Sequence, residues 1–118
     1  MSGCSRKFHQ WARLHKLANG NTPRKILLNS WEGVYFDINE QGMDQMMGDI
    51  AAMGGELFVM DDGWFGDKYP RKNDSYALGD WTVDKTKLPG GLQSLLDNAR
   101  KHGIRFGICL LYTSDAAD

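Results

Sequence analysis

Two acidic side chains stand side by side at Asp61-Asp62, directly after the apolar run Leu57-Phe58-Val59-Met60. Adjacent carboxylates at the end of a buried strand repel each other and lose hydration, so they require hydrogen-bond donors nearby. A sugar's hydroxyls are such donors, and each bond to an ionised acceptor contributes roughly 1.5–3 kcal/mol where water is excluded. Two plainer readings compete. An Asp-Gly step makes a tight turn by itself, and paired carboxylates also suit a hard cation. No further acidic or histidine ligand gathers at a suggestive spacing, so no metal is assigned, and nothing in the sequence asks for a cofactor.

Three tryptophans accompany the pair. Trp31, Trp64 and Trp81 each lie just past a strand or in a loop. An indole packs its flat face on the apolar C–H face of a pyranose, and its N–H can donate to a hydroxyl. The plain reading of any one of them is a core residue anchoring its loop, and Trp64 fits that best. His9, His15 and His102 read as surface or capping residues. The stripe Met43, Met46 and Met47 reads as core packing.

The elements that must position these groups follow from periodicity. Ile26-Leu27-Leu28 ends in Asn29-Ser30-Trp31 and predicts a strand buried on both faces. Met43, Met46, Met47, Ile50 and Ala51 recur at helical spacing behind an N-cap at Asp37 or Asn39. Gly54-Gly55 supplies a left-handed stop. Gly42 and Gly48 inside this helix cost about 1 kcal/mol each relative to alanine, so tertiary packing must hold it. Leu57 to Met60 is a second buried strand. A long polar stretch runs from Phe65 to about Pro89, and such loops are more often functional than idle. Leu92, Leu95, Leu96 and Ala99 mark a second helix closed by Gly103, and Ile104 to Leu110 is a third strand. Residues 1–23, polar and basic with Phe8, Trp11 and Leu14 loosely spaced, fit a short helix or a connecting segment equally well.

Strands alternating with helices imply parallel βαβ units. Ligands in such folds sit at the C-terminal ends of the strands, where Trp31, Asp61 and Asp62 fall. Three strands cannot close a barrel. The order fits either a small doubly wound domain or part of a barrel of about 250 residues. The 118 residues carry a formal net charge of -1, 42% hydrophobic and 25% charged residues. That balance favours neither a nucleic-acid nor a membrane-surface partner. No apolar run approaches the roughly 20 residues of a membrane helix, and the basic N-terminus lacks the apolar core of a signal peptide. Cys4 and Cys109, far apart, make no disulfide framework and no metal spacing, consistent with reduced thiols in a cytosolic setting.

Asn29-Ser30-Trp31-Glu32-Gly33-Val34-Tyr35-Phe36-Asp37 and Glu56-Leu57-Phe58-Val59-Met60-Asp61-Asp62-Gly63-Trp64-Phe65 are followed by Leu78-Gly79-Asp80-Trp81. Lys87-Leu88-Pro89-Gly90-Gly91-Leu92 completes the series. Together they resemble glycoside hydrolase family 36, the melibiase or raffinose-type α-galactosidases. The match runs in consistent order from about residue 5 to residue 108. The strand end with its paired aspartates also resembles family 27; the Leu-Gly-Asp-Trp and Lys-Leu-Pro segments separate the two.

The resemblance implies an α/β chain, an incomplete TIM (β/α)8 barrel comprising the first three βα units with a parallel sheet. Residues 1–23 are then an N-terminal connecting segment, residues 24–110 the partial barrel, and residues 111–118 an atypical tail. It further implies a retaining α-galactosidase that removes terminal non-reducing α-linked galactose from oligosaccharides such as melibiose and raffinose. By position, Asp61 and Asp62 look like the pair that holds galactose hydroxyls, Trp81 like the loop tryptophan lining the pocket, and Trp31 like its first-strand tryptophan. The family's nucleophile and acid/base are aspartates on later strands, so no catalytic residue is expected here and the fragment alone should be inactive. The partner is thus an α-galactoside oligosaccharide, with oligomeric state left open, a homo-oligomer being one form for the full-length parent. After Phe106-Gly107 the family usually continues with a tryptophan and Glu-Pro-Glu; the run from Cys109 to Asp118 departs from that and reads as foreign sequence. A stand-alone, non-catalytic sugar-binding α/β module is the alternative. A flavodoxin-like domain is set lower, because no Gly-rich phosphate loop follows the first strand.

Overall fold

The computed structural model describes residues 2–110. The elements run α1 (Gly3–His15), β1 (Leu27–Asn29), α2 (Trp31–Val34), α3 (Glu40–Ala52), β2 (Leu57–Met60), α4 (Gly91–His102) and β3 (Arg105–Ile108). The three strands form one parallel sheet in the order β1-β2-β3. Leu28, Phe58 and Phe106 stand in register across it. Sequence order equals spatial order, with α3 and α4 as the crossovers. Leu57 to Met60 coincides with the apolar run that predicted it.

One face of the sheet is covered. Phe58 and Met60 join Met43, Met47, Ile50, Leu95 and Ala99 in a single apolar cluster, with Met46, Ala51 and Leu92 at its margin. Asn39, not Asp37, caps α3: its side-chain oxygen accepts from the Gly42 amide at 2.8 Å. Gly54 (φ 86°) and Gly103 (φ 72°) take the left-handed conformation after α3 and α4. Gly48 has a packing reason. A Cβ there would stand 3.2 Å from the ring of His102, whose Nε2 lies 2.9 Å from Asp44 Oδ1 and ties α4 to α3. His102 is therefore an interhelix contact.

The expectation of a first strand buried on both faces is corrected. Leu27 and Asn29 are exposed and Leu28 only half-buried, while Leu57 and Val59 on β2 are half-buried. Helices among the described residues cover one face only, and β1 is an edge, so alternate side chains find no cover. The radius of gyration, 17.5 Å, exceeds the roughly 13.5 Å of a compact domain of this length.

Of residues 1–23, Gly3–His15 form the helix α1. Ser2 caps α1, yet none of its residues is buried; Phe8 and Leu14 are each 64% exposed. The atypical tail, residues 111–118, lies outside the described residues.

Candidate functional site

The site begins with period-two alternation along the parallel strands. Asn29 on β1 and Val59 on β2 are register partners, and two residues beyond Val59 the same face carries Asp61. The Asn29 amide donates to Asp61 Oδ2, while its own side-chain oxygen accepts the Trp31 backbone N–H at 2.7 Å. Ser30, fully buried, accepts the Asp61 N–H at 2.9 Å through Oγ. Thus the end of β1 fixes the backbone and side chain of Asp61 and the start of the Trp31 turn together. Trp31 meets Tyr35 and Phe36 edge-on, with ring centroids 5.3 and 5.0 Å apart.

Asp62 turns the other way and is 5% exposed. Arg71 holds it: Nε lies 2.9 Å from Oδ1 and 3.1 Å from Oδ2, and Nη2 lies 2.7 Å from Oδ2. Arg71 is itself fully buried, between the rings of Phe36 and Phe65 at 5.7 and 5.6 Å. Its Nη1 donates to the Tyr76 carbonyl at 2.6 Å. Donors for the acidic pair therefore come from the protein as well. Asp61 Oδ1 also accepts the Asp62 N–H at 2.7 Å. Asp62 Oδ2 already takes two of the Arg71 donors, which leaves Oδ1 as the Asp62 oxygen with lone-pair capacity for a further one.

Gly63 makes the turn after the pair. Its φ of 108° suits glycine, and a Cβ there would stand 3.0 Å from Phe36 Cα. The tight-turn reading and the carboxylate-site reading thus describe the same three residues. Trp64 is 1% exposed and donates Nε1–H to the Cys109 carbonyl at 2.9 Å, joining the ends of β2 and β3. It is a core residue.

Lys87 binds the loops to one another. Its Nζ donates to the carbonyls of Phe36, Gly63 and Arg71 at 2.8, 2.7 and 3.1 Å. These follow β1, follow β2 and lie in the long loop. Burial draws its pKa below the usual amine value, opposed by the charges of Asp84, Asp37 and Asp62. The long loop is also stitched by an antiparallel bridge between Phe65 and Val83 and by Gly66 N–H to Thr82 O at 2.8 Å.

Trp31, Asp61, Asp62, Asp74 and Cys109 line one hollow of about 210 Å³ at the C-terminal ends of all three strands. Three of the four residues singled out from sequence meet there. Trp81, 40% exposed, does not line it. Burial and then the neighbouring Asp61 carboxylate push the Cys109 thiol above its usual pKa, so it is a neutral rim group at neutral pH. Among the described residues no cluster of three or more His, Cys, Asp or Glu side chains could hold a metal ion.

Sequence reasoning passed over Arg71 and Asp74, and it used Asn29, Ser30 and Lys87 only as parts of motifs. Arg71 had a usable signal: it is the sole arginine between residues 61 and 89, beside an acidic pair that needs a cation.

The segment is an α/β unit with a parallel sheet, and its acidic and aromatic hollow lies at the strand ends, where open α/β sheets place their ligands. The melibiase family matches residues 1–112, and the chain belongs to it. Alpha-galactosidase C of Emericella nidulans is 44% identical over 118 residues, covering 92% of this chain and 16% of that relative. The chain thus spans about a sixth of the length of that curated relative. The solved structure of GH36 alpha-galactosidase AgaA from Geobacillus stearothermophilus is similar with a TM-score of 0.79 at 41% identity. That likeness covers 90% of this chain and 15% of the other. A variant of the same enzyme in complex with stachyose matches at a TM-score of 0.77 and 40% identity, over 88% of this chain and 14% of its own.

Proposed function

We propose that these residues are the first three βα units of a (β/α)8 barrel in a retaining α-galactosidase. It removes terminal non-reducing α-linked galactose from oligosaccharides such as melibiose and raffinose. The hollow at the strand ends carries the reading: an indole, Trp31, beside two fixed carboxylates, Asp61 and Asp62. The uncovered face of the sheet supports the barrel, because in a closed barrel that face is filled by side chains from the other strands.

In this reading Asp61 and Asp62 accept galactose hydroxyls through their remaining lone pairs, and Trp31 packs on the sugar's apolar face. Trp81, on the loop that closes at Phe65 and Val83, covers the sugar when the rest of the barrel is in place. A retaining hydrolysis needs two carboxyl groups about 5–5.5 Å apart on opposite sides of the glycosidic bond. Asp61 and Asp62 are adjacent, with Asp62 committed to Arg71, and they serve binding. The nucleophile and the acid/base stand on later strands, so the 118 residues alone do not turn over substrate.

The test is hydrolysis of an aryl α-galactoside by the full-length protein that carries this segment, followed by NMR of the first-formed anomer. α-Galactose as the first product supports the reading; β-galactose first, or binding without hydrolysis, overturns it. In the same protein, Asp61→Asn raises KM and lowers kcat/KM by about 10- to 100-fold, the worth of one hydrogen bond to a charged acceptor. Unchanged kinetics remove Asp61 from the sugar site.

A further inference from the structure

We propose that Arg71 is the positioning residue of Asp62, and that galactose affinity depends on it through that carboxylate. The inference rests on the proposed sugar-binding role of Asp62 and deepens it. Arg71 does not line the hollow. It lies behind Asp62, fully buried, and its guanidinium spans both oxygens of that carboxylate through Nε and Nη2. A carboxylate on a single-bonded stem rotates freely unless both oxygens are held; a planar two-point fork removes that freedom. The plane of Asp62, and with it the direction of its unused lone pairs into the hollow, is therefore set by Arg71.

The guanidinium is held in turn. The rings of Phe36 and Phe65 flank it, and Nη1 donates to the Tyr76 carbonyl. The Arg71 carbonyl accepts from Lys87, and the Asp74 carboxylate, on the rim of the hollow, stands 4.0 Å from Nη2. All of these contacts lie on the long loop except Phe36, which follows α2. The long loop thus has a job near the sugar besides carrying Trp81: it delivers a fork to the back of Asp62. Asp61 is oriented separately, by Asn29 and the Asp62 amide, so losing Arg71 disturbs one carboxylate of the two.

The experiment is a double-mutant cycle in the full-length protein, with free galactose as the ligand and calorimetric affinity as the readout. Arg71→Lys keeps the charge and most of the volume but offers no planar fork. With Asp62 present it weakens galactose about tenfold; in an Asp62→Asn background it adds less than about twofold. In Arg71→Ala, guanidinium at tens of millimolar restores affinity, whereas sodium chloride at equal ionic strength does not, and neither salt helps Asp62→Asn. An equal loss from Arg71→Lys in both backgrounds, or wild-type affinity in Arg71→Lys, overturns the proposal while leaving the sugar-site reading intact. Unchanged affinity in Asp62→Asn instead overturns the placement of Asp62 in that site. Thermal melts accompany each variant; if Arg71→Ala does not fold, the cycle with Arg71→Lys decides.

Discussion

Replacing Lys87 by methionine keeps most of the side chain's apolar stem and deletes its three donors. Lys87 Nζ lies 2.8, 2.7 and 3.1 Å from the carbonyls of Phe36, Gly63 and Arg71. Each hydrogen bond from a charged donor is worth roughly 1.5–3 kcal/mol, so a plain sum is about 5–9 kcal/mol. Two effects reduce it. The three carbonyls are part-buried, so water replaces some of what is lost, and bonds made by one group are not additive. An expected loss of about 3 kcal/mol remains, against about 0.5 kcal/mol for an ordinary surface substitution. The loss falls on the loop, so native-state hydrogen exchange reads it better than global unfolding. The Gly66, Arg71 and Asp84 amides, which bond to Thr82, Phe65 and Trp64 carbonyls, should exchange about 100-fold faster in Lys87→Met, at about 1.4 kcal/mol per tenfold. Protection within threefold of wild type at all three would show that the lysine does not hold these loops together.

Gly63→Ala forces a Cβ to within 3.0 Å of Phe36 Cα at a φ of 108°; the full-length protein should lose about 1–3 kcal/mol and bind galactose more weakly, checked by melting and calorimetry. Glu40 accepts from Ser94 Oγ and from Gly90 N–H at 2.8 Å, and these bonds hold its pKa below the usual glutamate value. Its contribution is therefore fully present above the unfolded pKa of about 4.3 and lost as pH falls through the lower folded value. Glu40→Gln should abolish that acid-side loss, seen as a smaller stability difference between about pH 6 and about pH 3 in denaturant titrations of the full-length protein. The 118-residue chain by itself, with Ile26 58% and Leu27 48% exposed at the β1 edge, should melt without a sharp transition and aggregate; a cooperative melt by circular dichroism contradicts the partial-barrel reading.

Local pattern made some of this legible and distance hid the rest. The run Leu57 to Met60 is both a strand and fully apolar, so periodicity found β2. The methionine stripe found α3 because helical spacing is a local property. Leu27 misled, because its apolar character is written for cover that the described residues do not supply. The Asp61-Asp62 pair was visible as chemistry, yet its partner Arg71 sits nine positions on in a polar stretch with lysines at 68 and 72, where a charge reads as solvated. Lys87 bonds to Phe36 across 51 positions, and no spacing rule spans that. Asn29 and Ser30 act through strand register, which fixes who faces whom only once the sheet is paired.

In the proposed site the ends of β1, β2 and β3 shape one hollow in which Asp61, Asp62 and Trp31 take hold of galactose. A crystal structure of the full-length protein soaked with galactose tests it most directly. The sugar's hydroxyls should lie within hydrogen-bond distance of oxygens from both aspartates, with the Trp31 ring against its C–H face. Galactose bound at another place, with the two carboxylates contacting only Arg71, Asn29 and solvent, contradicts it.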